Sequence, residues 1–533
     1  MKKGKKKSVA CMAGALAALM LLSSCGTKDS GGSQGNASGV PENSASQSVP
    51  AGNTGDTLRV IITGEPVTIM PLEQEAGEGQ FIAWCIYDRL VNYDSVTGEL
   101  TPGLATSWEW VDDTHLRFHL RDDVKAYDGS VITADDVMFS VERGLEGDAA
   151  TQWSMVDGAE CSVEDEHTFV LGLKEIYPSI IGKLAYVATL NVIDQSSCEA
   201  LGGYEAAIRN PKCGTGAYDF DEWKEGEYIR LVRNEDYWGE AGAYEYIQFT
   251  WINDSAARTM AVAAGDADFA VEIGTADVAA AESYDNCVSM SLSGGGTNVL
   301  FFNTTREYTG NELVRKAIAS VVDVNACNMI GSGGTSRVAD SIIASSSSYY
   351  KAPGSDYSQT VDVEKGKALL AEAGYPNGIQ LTMPTVPMTQ TVCEAIQASL
   401  LQIGIELKVE VMEIPTYLAA TDSGDFDIVL QPTFSDDITN YAKYYDDRME
   451  LNARGGGIVG GYEELYPVLD RCRYSTDEAD NMAAWGELQD YVRDHCLTIP
   501  LYESSVSYCA NGAYEYNYFS NGHINFATVR PVG

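Results

Sequence analysis

The chain has 533 residues, with 77 acidic against 35 basic side chains, so its formal net charge is −42. A protein that binds nucleic acid needs a concentrated excess of Lys and Arg, and here only the first seven residues carry one, so no nucleic-acid partner is expected. Hydrophobic residues make up 45%, which allows a large core, and at roughly 150 residues per domain the length predicts about three structural units.

The N-terminal segment is typical of a bacterial export signal. A run of lysines at the start precedes an uncharged apolar stretch over 9–22, which is shorter than the roughly 20 residues of a membrane span. The tetrapeptide Leu22-Ser23-Ser24-Cys25 resembles the bacterial lipobox, which implies cleavage before Cys25 and lipidation of that residue. An ordinary secretory signal with an incidental cysteine is the alternative.

A flexible tether is expected after Cys25. Residues 26–55 are mostly Gly, Ser, Asn and Ala and contain almost no apolar side chain that could build a core. Such a chain spans on the order of 30 Å. We therefore expect a monomeric body that faces the extracellular side or the periplasm, with the lipid anchor as its only attachment to the membrane.

The cysteines of the body indicate no metal or redox site. None of them forms a CxxC pair, which argues against a zinc ribbon and a thioredoxin-like motif. Cys327 and Cys393 lie in helical patterns and are typical of small buried hydrophobic residues, although pairing in an exported protein stays open. The ten are Cys85, Cys161, Cys198, Cys213, Cys287, Cys327, Cys393, Cys472, Cys496 and Cys509.

The predicted elements begin with a β-rich run over 57–63. From His115 to Arg121, polar and apolar residues alternate strictly, which predicts a half-buried strand. On a strand, His115 and His119 lie about 13 Å apart, at about 3.3 Å per residue. A metal ion shared by these two histidines is therefore rejected, and no metal site is predicted.

Two helices are indicated farther along the chain. Thr133 is followed three residues later by Asp136, which is typical of a capping box, and a helix of about ten residues is predicted to run until Gly144. Asn311 begins another helix, whose apolar face continues to Val322.

The clearest α/β pattern lies over 378–432. A strand over 379–385 leads to a helix over 391–402, and alternation over 405–411 predicts the next strand. The apolar run over 427–430 is expected to be another strand of the same sheet, so a second α/β lobe is predicted here.

Several short motifs follow one another in a fixed order along the body. They are Leu100 to Glu109 (LTPGLATSWE), Phe118 to Arg121 (FHLR), Tyr127 to Gly129 (YDG), Thr133 to Val137 (TADDV), Gly214 to Tyr218 (GTGAY), Asn234 to Trp238 (NEDYW) and Ala368 to Tyr375 (ALLAEAGY). In this order they resemble the extracellular solute-binding proteins of family 5, the oligopeptide, dipeptide and nickel class that serves ABC importers. Ala217 replaces a proline of the family pattern.

The resemblance implies an α/β fold of the type II periplasmic-binding-protein kind, with two lobes, a hinge and an accessory domain on lobe one. Lobe one is expected over 56–90, 211–305 and 496–533, the accessory domain over 91–210 and lobe two over 306–495, after a leader over 1–24 and a tether over 25–55. Most matched motif residues, including Trp108 and Trp238, are expected to be architectural.

The resemblance also implies where a ligand is held. In peptide-binding relatives a lobe-two loop carries an aromatic residue and, three positions later, an aspartate that pairs with the peptide ammonium group. Phe434 and Asp437 fit this spacing, and Asp436 stays open because the usual Asp-Pro does not follow. A charge-assisted bond of this kind is about twice as strong as a neutral one. The alternative is a solvated acidic turn.

Two further candidates lie on lobe one. Glu65 follows the first strand, at the position of the family's cleft edge. Trp84 lies on the following helix, where a role in the core is the alternative.

The resemblance implies that the protein captures short peptides and delivers them to ABC permease subunits, without a cofactor. A nickel chelate, a sugar and a signalling peptide are the alternative ligands. An enzyme such as a secreted hydrolase is disfavoured, because the sequence has no GxSxG elbow, no Walker loop and no HExxH motif.

Overall fold

The computed structural model describes residues 52–73, 77–94, 99–147, 150–186, 191–208, 210–354, 359–433, 438–449, 460–519 and 521–532. Cys25 and the predicted leader lie outside these ranges, as does most of the predicted tether. Within them, no helix combines the length and the apolar character that crossing a bilayer requires.

The strands of these residues are β1 (Thr57–Ile62), β2 (Val91–Tyr93), β3 (Leu100–Pro102), β4 (Ala105–Trp110), β5 (His115–Leu120), β6 (Ser162–Asp165), β7 (Thr168–Gly172), β8 (Tyr218–Lys224), β9 (Tyr228–Arg233), β10 (Tyr246–Trp251), β11 (Phe269–Ala270), β12 (Val288–Phe302), β13 (Ile379–Thr385), β14 (Ile405–Val411), β15 (Ile428–Thr433), β16 (Thr498–Ala510), β17 (Tyr514–Glu515) and β18 (Arg530–Pro531).

The helices are α1 (Gly79–Ile86), α2 (Ala134–Glu146), α3 (Ile180–Tyr186), α4 (Gln195–Ala200), α5 (Tyr204–Ala207), α6 (Ser255–Ala264), α7 (Thr275–Ala281), α8 (Glu312–Ala319), α9 (Val324–Ser332), α10 (Val363–Glu372), α11 (Gln390–Leu401), α12 (Ile414–Asp422), α13 (Thr439–Lys443), α14 (Tyr466–Tyr474) and α15 (Glu478–Asp494).

One sheet of eight strands has the order β15-β12-β16-β11-β1-β10-β9-β8. Within it, β1 pairs in parallel with β10 on one side and β11 on the other. Leu58, Val60 and Ile62 of β1 are fully buried, because the strand carries apolar side chains to a covered face of the sheet. The predicted strand at 57–63 is therefore confirmed.

Two long strands of this sheet, β12 and β16, pass from one hydrophobic core to another. Met290 of β12 packs against the core around β1, whereas Leu300 lies in the core around β13 and α8. On β16, Leu501 belongs to the second core and Tyr508 to the first. The antiparallel pair therefore joins the two lobes of the fold, while the lobe boundaries derived from the sequence remain predictions.

The crossover between the cores is rich in glycine. The ladder of β12 with β16 shifts register between Ser293 and Thr297. Gly295 has φ 68°, and a Cβ on Gly296 would lie 2.1 Å from the carbonyl oxygen of Thr433 on β15. Only glycine fits both positions without displacing a neighbour, because one needs a left-handed backbone and the other a close approach.

A second, four-stranded sheet has the order β4-β5-β7-β6 and packs against α2. Along β5 the even positions Leu116, Phe118 and Leu120 are buried and the odd positions are half-buried, so the predicted alternation is confirmed. The Nδ1 atom of His115 lies 2.9 Å from Asp112 Oδ1, which gives this histidine a carboxylate partner.

The two helix starts predicted from capping residues are confirmed. Thr133 and Asp136 form a capping box at α2, which runs two residues beyond the predicted end. Asn311 caps α8, and its side chain accepts a hydrogen bond from the Leu313 N–H. This helix ends at Ala319, earlier than its apolar periodicity indicates, although Val322 remains buried in the segment that follows.

The βαβ unit of lobe two is confirmed, but the expected third strand was wrongly placed. β13 and β14 pair in parallel and α11 connects them. β15 instead pairs antiparallel with β12 in the large sheet. Beside β13, Asp427 donates one backbone hydrogen bond to Thr382, and its carboxylate accepts the Thr382 N–H at 2.8 Å. The Asp427 carboxylate thus accepts the Thr382 N–H, which would otherwise bond to a further strand beside β13.

The ten cysteines after Cys25 are free thiols in the structure. Nine of them are buried and Cys287 is half-buried. Burial raises the pKa of Cys393 to about 11, because a thiolate is costly away from water. The interpretation of Cys327 and Cys393 as small hydrophobic core residues is confirmed.

Candidate functional site

The carboxyl ends of β1 and β11 meet at one edge of the large sheet, because the two strands run in parallel. In open α/β sheets, ligands bind at this edge. Glu65 follows β1 and Glu272 follows β11, so two carboxylates lie at the edge. This is where the structure places the first residue predicted for the site.

Glu65 is exposed and tied to the hairpin between β8 and β9. Its Oε1 atom accepts hydrogen bonds from Trp223 Nε1 at 3.0 Å and from the Gly226 N–H at 3.2 Å. The hairpin therefore sets the orientation of the carboxylate. The sequence alone gave no sign of this contact, since 158 residues separate Glu65 from Trp223.

Glu272 has a backbone that few non-glycine residues adopt, with φ 51°. Arg258 holds it there, since its Nη2 atom donates to the Glu272 carbonyl oxygen at 2.8 Å. Partial burial and the nearby charge of Glu78 raise the pKa of the Glu272 carboxyl. Its Oε1 atom lies 3.8 Å from His523 Nε2. Burial lowers the pKa of His523 to about 4.

Trp84 lies on α1, whose eight residues are all buried. Its ring lies 4.4 Å from the Phe519 ring and 6.1 Å from the Phe81 ring. Only 4% of Trp84 is exposed, and its indole N–H has no hydrogen-bond acceptor among the described atoms. Trp84 thus contributes to the core, and among the described residues its ring contacts differ from the hydrogen-bond partners of Glu65.

The Asp88 carboxylate is hydrogen-bonded to residues from two of the sequence motifs. Its carboxylate accepts hydrogen bonds from Trp238 Nε1 at 2.7 Å, Tyr237 OH at 3.1 Å and Thr215 Oγ1 at 3.1 Å. Desolvation raises the pKa of Asp88 to about 6. The GTGAY and NEDYW motifs are therefore architectural at these positions, as expected from the sequence for Trp238.

Arg89 is the neighbouring residue and was not among the predicted candidates. It is 6% exposed, and its Nε and Nη1 atoms have no acceptor among the described atoms. Its guanidinium carbon lies 4.6 Å from the centre of the Phe519 ring. Burial lowers the pKa of Arg89 to about 10. No motif signalled this residue, because the missing acceptors of these two atoms are a property of the folded chain.

On lobe two, the predicted aromatic-aspartate loop begins at the end of β15. Thr433 is fully buried there, and its Oγ1 atom accepts the Thr297 N–H at 3.1 Å. Phe434, Asp436 and Asp437 lie outside the described residues. β15 itself ends beside the crossover strand β12, and the placement of these three side chains remains a prediction.

The crossing strand β16 carries a buried carboxylate, Glu503. Glu503 on β16 is 3% exposed and accepts hydrogen bonds from Arg337 Nη1 at 2.7 Å and from the N–H and Oγ of Ser345, both at 2.9 Å. Nearby, Tyr93 on β2 donates its hydroxyl to the Ser346 carbonyl oxygen at 3.1 Å. The Glu503 bonds hold β16 to the segment around Arg337 and Ser345, and the Tyr93 bond joins β2 to the same segment.

A comparison with protein-family models matches residues 99–448 to the bacterial extracellular solute-binding proteins, family 5. The chain belongs to this family. It is 26% identical over 475 residues to the nickel-binding periplasmic protein of Escherichia coli, with 83% of this chain and 88% of that protein covered. It is 24% identical to the di/tripeptide-binding protein 1 of Pseudomonas aeruginosa, with the same shares covered.

Among solved structures, HbpA2 from Haemophilus parasuis superimposes with a TM-score of 0.80 at 22% identity, covering 89% of this chain and 99% of that one. The fold is therefore that of the type II periplasmic binding proteins, as the sequence motifs implied. Family 5 proteins bind solutes for ABC importers and are not enzymes, so this chain is a solute-binding protein of transport.

Exposed apolar side chains of this solute-binding protein lie after the strand ends of both lobes. Val67, after β1, is 86% exposed, and Met388, after β13, is 81% exposed. Ile414, after β14, is 56% exposed. Such side chains suit the loosely specific pockets that accept varied ligand side chains. Within the described residues, no group of three or more His, Cys, Asp or Glu side chains is arranged to hold a metal ion.

Proposed function

We propose that this solute-binding protein captures short peptides, from dipeptides to oligopeptides, in the cleft between its lobes and delivers them to an ABC permease. The observation that carries the proposal is the position of Thr433, the last residue of β15, against Thr297 at the crossover. Asp437 follows four residues later, within about 14 Å of that point even in a fully extended chain. The proposal thus puts the Asp437 carboxylate near the junction of the lobes.

The ligand contacts proposed on lobe two are Phe434 stacking on the peptide and Asp437, or Asp436, pairing with its ammonium group. On lobe one, Glu65 lies at the carboxyl edge of the parallel strands and is the proposed contact. Trp84 was the second candidate there, but its burial in the core makes it the weaker one. Val67 and Met388 add apolar surface for side chains. Main-chain groups of the cleft would hold the peptide backbone in such a binder.

We also propose how the protein is attached and how it moves. Cys25 carries the lipid, residues 26–55 form the tether, and the monomeric body faces the outer side of the membrane. Lobe one (56–90, 211–305 and 496–533) with its accessory domain (91–210) closes on lobe two (306–495) about β12 and β16, in the manner of hinge closure. Replacing Cys25 with Ala is expected to release the protein from the membrane fraction; retention would contradict the anchor.

The ligand class is tested by calorimetric titration with di- to hexapeptides, a sugar series and nickel chelates. Binding of peptides alone supports the proposal, and binding only of sugars or nickel chelates overturns it. Asp437→Asn is expected to weaken peptide binding by about 2–5 kcal/mol, because it removes the partner of a desolvated ammonium group. An equal loss in Asp436→Asn but not in Asp437→Asn would assign the role to Asp436.

The matched control is Asp425→Asn. Asp425 lies just before β15, is 83% exposed and pairs with Arg306 at 2.8 Å. Asp425→Asn removes one negative charge from the same region as Asp437→Asn does, but at a residue with no predicted ligand contact. Its peptide affinity is expected to equal that of the unaltered protein.

A further inference from the structure

Among the ten thiols after Cys25, two pairs are in hydrogen-bond contact: Cys287 with Cys509, and Cys198 with Cys213. Cys198 and Cys213 are both fully buried. In the other pair Cys509 is fully buried, whereas Cys287 is half-buried. Since the other nine thiols are buried, Cys287 is the one that a reagent in the solvent reaches most readily.

The register of the large sheet brings Cys287 next to Cys509. Ser289 of β12 lies opposite Cys509 of β16, and Cys287 comes two residues before Ser289. Because side chains alternate along a strand, Cys287 and Cys509 lie on the same face of the sheet as diagonal neighbours. On that face Cys509 belongs to a small core between the sheet and the helices α6 and α7, and Cys287 packs against this core. Register and packing therefore agree on the contact between the two side chains.

The backbone allows the two sulfur atoms to be joined. A disulfide needs Cα atoms about 4.4–6.8 Å apart, and diagonal neighbours across two strands lie about 7–8 Å apart. The pairing of β12 with β16 begins at Val288, so Cys287 lies just outside the ladder. It ends a turn in which its N–H donates to the Tyr284 carbonyl oxygen at 3.2 Å. A shift of about 1 Å at this turn brings the pair into the range of a disulfide.

The hydrogen bond between the two thiols gives them different roles. Burial raises the pKa of both, and their hydrogen bond raises the pKa of Cys509 further while it opposes the rise at Cys287. Cys509 is thus the donor and Cys287 the acceptor. The thiolate is the reactive form of cysteine, so the half-buried Cys287 is the first nucleophile and Cys509 the second.

We propose that Cys287 and Cys509 form a disulfide by exchange with a small-molecule disulfide outside the cell. The Cys287 thiolate attacks one sulfur of the reagent, forms a mixed disulfide and releases one thiolate, which takes up the proton that Cys287 lost. Cys509 then loses its proton and attacks the Cys287 sulfur, which releases the second thiol of the reagent. The two cysteines are oxidised and the reagent is reduced to two thiols. The family is extracellular, where disulfides persist.

The bond fastens the two crossing strands at the ends that pack on the core around β1. Met290 of β12 and Tyr508 of β16 lie close to the pair and pack in that core, and the glycine-rich crossover comes later along β12. The loop that the bond closes contains α8 to α15. Cross-linking so long a loop stabilises a protein mainly by restricting its unfolded chain. Oxidation is therefore expected to raise the stability of the chain.

The test uses the purified full chain, first reduced and then freed of reductant, with oxidised glutathione as the probe. After acid quenching, free thiols are blocked with iodoacetamide in denaturant, and the protein is digested without reductant for mass spectrometry. We expect the loss of two free thiols per chain, a peptide pair linked through Cys287 and Cys509, and a chain that stays monomeric on a non-reducing gel. The oxidised chain is expected to have a higher urea midpoint than the reduced chain.

Variants separate the two steps of the exchange. Cys509→Ser is expected to stop at the mixed disulfide, with one glutathione on Cys287. Cys287→Ser is expected to leave Cys509 unmodified, because the buried thiol does not reach the reagent. The matched control is Cys198→Ser, which removes one thiol of the other hydrogen-bonded pair and is expected to leave the oxidation of Cys287 and Cys509 unchanged. Cys198 and Cys213 of the unaltered protein are expected to be fully alkylated.

The remaining outcomes overturn the proposal. They are full alkylation of Cys287 and Cys509 after treatment, a glutathione adduct on Cys287 that never converts, and a Cys287 bond to a second chain. Oxidation of Cys198 with Cys213 at an equal rate would assign the reaction to unfolded chains and also overturns it. If Cys509→Ser does not fold, the linked peptide of the unaltered protein still decides. None of these measurements involves the transported ligand, so the peptide function stands or falls separately.

Discussion

Trp238 donates its indole N–H to Asp88 across 2.7 Å, although 150 residues separate the two in the chain. Tyr237 and Thr215 donate to the same carboxylate. Two sequence motifs that lie apart are thus joined at one acceptor, next to the segment that carries Arg89. These bonds hold the chain in place just after α1, so the two motifs have an architectural role at these positions.

The first prediction concerns Asp88 and pH. Desolvation raises its folded pKa to about 6, above the ordinary value of an aspartate. The folded state therefore binds this proton more tightly than the unfolded state, so the contribution to stability is present below about pH 4 and is lost as pH rises through 6. Asp88→Asn is expected to remove a decline of roughly 1–3 kcal/mol between pH 4 and 7, measured by urea unfolding.

Asp236→Asn is the control for this experiment, because Asp236 is 79% exposed and lies only 4.0 Å from Lys125. Its stability profile is expected to follow that of the unaltered protein. If the pH profile of Asp88→Asn also follows that of the unaltered protein, the Asp88 carboxyl has the same pKa in the folded and unfolded states, and the prediction is wrong.

A second pH prediction has the opposite sign and concerns His523. Its folded pKa of about 4 lies below the ordinary value of 6.5 because burial disfavours the charged ring. Its contribution to stability is therefore present above pH 6.5 and is lost as pH falls through 4. His523→Phe retains ring contacts with Phe81 and Trp84. It is expected to reduce the loss of unfolding free energy at low pH by roughly 1–3 kcal/mol.

Thermal unfolding from pH 7 to 4 measures this effect. Glu272, 3.8 Å from His523, is the charged group that faces the ring, so Glu272→Gln is measured in parallel to separate its titration. Parallel curves for His523→Phe and the unaltered protein would show that the imidazole is not the titrating group.

The third prediction tests the crossover glycine. Gly296→Ala places a methyl group 2.1 Å from the Thr433 carbonyl oxygen, so β12 and β15 have to move apart. We expect a loss of about 1–3 kcal/mol in unfolding free energy, together with weaker ligand binding. Gly274→Ala is the control, because its nearest neighbour is a side-chain oxygen of Asp277 at 3.3 Å. Equal stability of the two variants would refute the close-approach argument.

The fourth prediction concerns Glu503, the buried acceptor on β16. Glu503→Gln keeps the shape but weakens the charge-assisted bond from Arg337 and turns one acceptor into a donor facing Ser345. A loss of about 1–3 kcal/mol is expected in urea unfolding. Glu364→Gln provides the comparison, since Glu364 is 85% exposed beside Lys367 and such surface pairs contribute little. Similar losses in both variants would contradict the network.

Local patterns were enough to predict several elements of this fold. The alternation along β5, the capping residues of α2 and α8 and the parallel pair of β13 and β14 all follow from the sequence, because each depends on neighbours a few positions away. The overall fold was instead implied by the resemblance of the ordered motifs to the family. The loop of Phe434 and Asp437 could be proposed from spacing alone, and its side-chain placement remains a prediction.

Long-range contacts decided the rest. β15 joins β12 rather than β13, because the partner of an apolar strand is chosen by packing and an aspartate can satisfy the neighbouring backbone in its place. The sequence also could not show that the Nε and Nη1 atoms of buried Arg89 lack an acceptor among the described residues, while Arg258 and Arg315 bond through all three nitrogens. Composition and periodicity determine which segments form strands and helices, whereas only the tertiary structure determines which polar groups are left unpaired, since pairing depends on residues distant in the chain.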